Sequence, residues 1–119
     1  MVTISKEENN FHFNVEGLHK LWALKSHLII PISNVARVYQ SKDELSGWWK
    51  GIRMPGTYIP GLIRAGTFYQ SGEKTFWDVV NQEDAIIIEL ENERYKKLII
   101  QVEHPAQAID LINDSLEFV

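Results

Sequence analysis

Ala85-Ile86-Ile87-Ile88-Glu89-Leu90-Glu91-Asn92-Glu93-Arg94-Tyr95-Lys96-Lys97-Leu98-Ile99-Ile100-Gln101-Val102 is the stretch on which the fold turns. Two apolar arms flank Glu91-Asn92-Glu93-Arg94, a polar turn composition. Ile86, Ile88 and Leu90 recur at every second position, as do Leu98, Ile100 and Val102, so each arm supplies one apolar face. The predicted unit is a β-hairpin over 85–90 and 95–102.

Similar signals precede it. Strands are predicted over 62–69 and 74–80, around the turn Gln70-Ser71-Gly72-Glu73. Near the N-terminus, Val2 and Ile4, then Phe11, Phe13 and Val15, alternate on either side of Glu8-Asn9-Asn10, which reads as another hairpin. A strand over 27–32 is interrupted by Pro31, which suits an edge or a strand end, and 35–40 is a further strand. Leu18, Leu21 and Trp22 have helical spacing, so a short helix is predicted over 17–24.

The chain ends on a helix. His104 stands at the cap position and Pro105 in the first turn, where its missing N–H costs nothing. Ile109, Ile112 and Leu116 form its apolar stripe, and Gln107, Asp110, Asn113 and Asp114 lie opposite. A helix of about 13 residues is not stable alone and needs a sheet to cover. Seven or eight antiparallel strands followed by one helix predict a mainly β (α+β) domain. Its sheet is expected to be strongly bent or a partly open barrel, with the helix plugging the open end.

A chain of 119 residues fits one domain spanning 1–119. Cysteine is absent, which excludes disulfides and thiolate chemistry. The first residues do not read as a signal peptide, and no apolar run approaches the roughly 20 residues that span a bilayer. The expectation is a soluble cytoplasmic protein. The net charge of −4 argues against nucleic-acid binding, which needs a basic footprint.

The charge is unevenly placed. Residues 45–72 contain no acid, carry Lys50, Arg53 and Arg64, and hold six of the seven glycines, which makes this the stretch unlike the rest of the chain. Overlapping it, 41–61 reads as a long glycine- and aromatic-rich connection, beyond the usual loop length.

Gly51-Ile52-Arg53-Met54-Pro55-Gly56-Thr57, then Pro60-Gly61, Ala65-Gly66-Thr67-Phe68 and Phe76-Trp77-Asp78-Val79, resemble a pattern in a group of uncharacterised bacterial proteins with pleckstrin-homology-like domains. The resemblance covers roughly 15–117. It implies a pleckstrin-homology-like barrel closed by a C-terminal helix, and it implies no specific activity. Eukaryotic members of that fold often bind phosphoinositides through basic residues after the first strand. Here the matching turn has only Lys6 beside Glu7 and Glu8, a departure that speaks against inositol-phosphate binding.

Candidate site residues cluster in the acid-free stretch. Trp48 and Trp49 are either a binding surface or a lid over the barrel end. Arg53 either holds an anionic group through its planar fork or pegs the loop to a carboxylate. Lys50, Tyr58 and Arg64 complete the candidate binding set. Asp78 shares a strand face with Phe76 and Val80, so it is either a structural acceptor or a functional acid. His12, His19, His27 and His104 lack ligand spacing, and neither a metal nor another cofactor is expected. No nucleophile elbow or phosphate loop is present in the sequence.

Three functions are compatible with these residues. The first is a non-catalytic module that binds a protein partner or a second copy of itself through 41–61. Another is peripheral attachment to an anionic membrane through Trp48, Trp49, Lys50 and Arg53. The third is a small-molecule enzyme using Asp78 with an arginine.

Overall fold

Strand formation begins where the N-terminal sequence alternates. In the computed structural model, which describes residues 2–15, 27–41, 57–59, 63–70, 72–79 and 82–116, β1 (Val2–Glu7) and β2 (Asn10–Val15) pair antiparallel from Val2↔Val15 to Glu7↔Asn10. Their turn falls at Glu8-Asn9, as the composition predicts, with Glu8 at φ 56°. On the other side of β2 lies β3 (His27–Pro31), an edge strand that ends on its proline. Phe11, Phe13, Val15, Leu28 and Ile30 face inward and are buried. The outward positions carry Asn10, His12, Asn14, His27 and Ile29.

A 3-10 turn over Ile32–Asn34 carries the chain into the second sheet. That sheet has the order β4 (Val35–Tyr39), β8 (Ala85–Leu90), β9 (Lys97–Gln101), β7 (Glu73–Val79), β6 (Ile63–Gln70), β5 (Thr57–Ile59). The two later hairpins form as predicted, β6 with β7 and β8 with β9. Between β6 and β7, Gly72 takes φ 80°, a region that side chains rarely adopt.

Several expectations are corrected. The strands are not all antiparallel: β9 inserts between β8 and β7 and runs parallel to β7. The link from β7 through the 3-10 turn Gln82–Asp84 therefore steps over one strand width. Nine strands, not seven or eight, form among the described residues, and they form two sheets, of three and six strands, and no closed barrel. Part of the excess is β5, which lies inside the stretch read as a connection, where Thr-Tyr-Ile has strong strand preference. The short helix predicted over 17–24 lies outside the described residues.

One helix is present among the described residues, α1 (Pro105–Leu116), with Pro105 in its first turn as predicted. The Ala108 amide donates to the His104 carbonyl at 3.0 Å. Ile112 is fully buried, and Ala108, Ile109 and Leu116 pack beside it against the core. No helix among the described residues is long and apolar enough to cross a membrane.

The main core lies between the two sheets and α1. It joins Phe11, Phe13 and Ile30 of the small sheet to Phe76, Ile86, Ile88, Leu98 and Ile100 of the large one. A second cluster occupies the opposite face of the large sheet: Trp77, Val79, Ala85, Ile87 and Ile99, with Tyr39 packed against it. The centre of the large sheet is therefore buried on both faces, whereas the alternation in the sequence points to one apolar face per arm.

Two stability predictions follow from this geometry. Ile87→Ala should cost about as much as Ile86→Ala, about 2–5 kcal/mol each in urea unfolding. A loss below about 0.5 kcal/mol for Ile87→Ala would mean that the second face is open to solvent. Gly72→Ala should cost about 1–2 kcal/mol through φ alone, because an added Cβ would meet nothing within 4 Å.

Candidate functional site

Strand register places three of the predicted site residues. Tyr58 of β5 stands opposite Arg64 of β6, at the outer edge of the large sheet. Arg64 is in turn opposite Val79 of β7, and Asp78 is opposite Ala65. Trp48, Trp49, Lys50 and Arg53 lie outside the described residues.

Asp78 is 1% exposed. On β7 it shares its face with Phe76, as the alternation predicts, and its register partner on β9 is Ile100. Two surface cavities, each of about 340 Å³, lie elsewhere. One runs between β1 and α1, lined by Thr3, His104, Gln107 and Leu111 among others. The other runs beside β3 and is also lined by Glu93, Arg94 and Tyr95. Asp78 lines neither of these cavities.

Tyr95 couples the turn before β9 to the large sheet. Its ring meets Phe76 edge-on at a centroid distance of 5.7 Å. Its hydroxyl is 2.9 Å from Thr67 Oγ1 on β6, so the buried phenol keeps a polar partner.

At the β4 end of the sheet, Arg37 donates from Nε and Nη2 to Glu89 Oε2, both at 2.7 Å, while its guanidinium lies 4.5 Å from the centre of the Tyr39 ring. Partial burial raises the Glu89 carboxyl. Hydrogen bonds from Arg37 and Tyr39, and the charges of Arg37 and Lys97, outweigh it and hold the carboxyl below its ordinary 4.5.

The outward face of the small sheet holds a polar constellation that sequence spacing missed. His12 and His27 are 15 residues apart, with no ligand-type interval between them. The β2/β3 register sets His27 opposite Asn14 and Ile29 opposite His12, which makes the two histidines diagonal neighbours. Their rings are 5.3 Å apart and inclined by 58°. His12 Nδ1 is 3.2 Å from His27 Nε2. The other nitrogen of each ring also meets a partner: His27 Nδ1 contacts Asn14 Oδ1, and His12 Nε2 is 3.4 Å from Glu7 Oε2. The sequence signal that reaches this cluster is the alternation of β2, which sends His12 and Asn14 to one face. Which strand lies beside them is a matter of register.

The Glu89 arrangement predicts a pH effect. A carboxyl held below 4.5 contributes stability that is present above 4.5 and is lost as pH falls through its folded value. Arg37 is largely exposed, so the contribution should be under about 1 kcal/mol. Urea titrations of wild type and Glu89→Gln should differ most near neutral pH and converge below 4.5. A difference that stays constant with pH would remove the ion pair as its cause.

Compared with protein-family profiles, with curated proteins and with solved structures, the chain matches none.

Proposed function

We propose that the chain is a non-catalytic, pleckstrin-homology-like binding module that engages a protein partner through residues 41–61 and the adjoining sheet edge, a second copy of itself being the partner to test first. One observation carries the reading. β4, which ends just before this stretch, and β5, which lies near its far end, are the two outermost strands of the large sheet. The stretch thus connects opposite edges of a sheet whose centre is already filled.

Chemistry supports a contact role at its far end. Among the described residues β5 pairs with β6 alone, and an edge strand offers a row of backbone donors and acceptors to another chain. Tyr58 and Arg64 stand at paired positions there, and both residue types are enriched at protein contacts. Trp48, Trp49 and Arg53 belong to the same acid-free stretch and supply the anchors in this reading.

The test is the mass in solution of wild type and of the Trp48→Ala/Trp49→Ala double variant, with circular dichroism on both. The expected result is a wild type heavier than its 13.8 kDa chain and a folded variant that returns to that mass. A folded variant with the same mass as wild type would remove self-association through these residues.

A further inference from the structure

We propose that His12 and His27 form a surface site for a borderline divalent transition-metal ion such as Cu²⁺, Ni²⁺ or Zn²⁺, with Glu7 and Asn14 holding the two rings in place. The starting point is where the ring protons sit. With Asn14 Oδ1 and the Glu7 carboxylate as the acceptors, the nitrogens that face them, His27 Nδ1 and His12 Nε2, are the ones that carry the N–H. A neutral imidazole has one N–H, which leaves His27 Nε2 and His12 Nδ1 as lone pairs. Those are the two nitrogens that face each other at 3.2 Å.

Two opposed lone pairs repel unless an electrophile lies between or beside them. The spacing suits a metal ion. With bonds of about 2.0–2.1 Å to imidazole nitrogen, two ligands on one ion are about 2.9 Å apart at a right angle and about 3.4 Å apart at the tetrahedral angle. The observed separation falls between these values. The outer contacts also match a metal-bound histidine, which as a rule donates its second N–H to a carboxylate or a carbonyl oxygen. Here one ring has each kind of acceptor.

The site is shallow. No group of three or more histidine, cysteine or acidic side chains suited to a metal occurs among the described residues. Water would fill the remaining coordination positions, and with two imidazole ligands copper should bind more tightly than zinc.

A competing arrangement uses the same side chains. With the Asn14 amide turned over, its Nδ2 would donate to His27, His27 Nε2 to His12 Nδ1, and His12 Nε2 to Glu7, a hydrogen-bonded chain that needs no ion. Metal titration separates the two. The experiment uses the full chain without a polyhistidine tag, titrated with CuCl₂ and with ZnCl₂, and followed by calorimetry and by the imidazole NMR signals. The expected result is one equivalent bound, with the His12 and His27 signals the first to shift with Zn²⁺ and the first to broaden with paramagnetic Cu²⁺. His12→Gln and His27→Gln should each weaken binding at least tenfold, and His104→Gln should not. Glu7→Gln should weaken it about tenfold or more while both ligands remain. Circular dichroism of each variant excludes loss of fold as the cause. Wild-type binding no tighter than that of the His12→Gln/His27→Gln double variant would overturn the proposal and leave the hydrogen-bonded chain.

Discussion

The pairing of β8 with β9 is the constraint on which the rest of the molecule depends. These two strands occupy the middle of the large sheet and are buried on both faces. Ile86, Ile88, Leu98 and Ile100 supply the floor on which the small sheet and α1 pack. Ile87 and Ile99 belong to the second cluster, with Trp77 and Val79 of β7. The antiparallel register sets Ile87 opposite Ile99, and the parallel contact between β9 and β7 sets Trp77 opposite Ile99 on its other side. A slip of one residue would exchange the faces of every side chain on the strand. Two buried faces that differ in shape, one taking Phe76 and the other Trp77, make such a slip costly.

A small corner joins the two sheets. Pro31 ends β3, and the Ile32 amide donates to the Asn9 carbonyl in the β1–β2 turn at 2.8 Å. Two residues later the Asn34 carbonyl accepts from the Glu91 amide in the β8–β9 turn at 2.8 Å, and the Asn34 amide side chain donates to Glu93. One 3-10 turn is thereby tied to the hairpin turns of both sheets. Proline removes a donor where β3 must stop, and asparagine supplies a side chain that local backbone geometry favours at turns.

Much of this was legible in the residues, and the exceptions have physical causes. All three hairpins and the C-terminal helix follow from local signals: alternation, turn composition, and Pro105 at a helix start. The parallel contact between β7 and β9 does not, because local sequence carries no sign of which strand inserts beside which. The second buried face was encoded in the unbroken runs Ile86-Ile87-Ile88 and Leu98-Ile99-Ile100, since a strand buried on both sides needs no polar alternate. Attention to every second residue hid it. For the candidate sites, the burial of Asp78 and its place beside Phe76 were readable from alternation. The opposition of Tyr58 and Arg64, and the meeting of His12 with His27, depend on register and became visible only with the strands paired.

The composition of β2 gives the histidine face its meaning. β2 is the central strand of its sheet, and its inward positions hold Phe11, Phe13 and Val15, good strand formers with a core to fill. Its outward positions hold Asn10, His12 and Asn14, among which asparagine is depleted in strands. Threonine or valine there would favour the strand more and bury nothing less, because none of these side chains enters the core. The strand forms despite them, held by its inward face and by neighbours on both sides. His12 and Asn14 instead meet side chains of the neighbouring strands: Asn14 contacts His27 and Glu7 contacts His12, and the remaining nitrogens of the two imidazoles converge. Local preference given up at outward, half-buried positions, in return for a fixed arrangement of polar groups, is the pattern of a site that recognises something outside the chain.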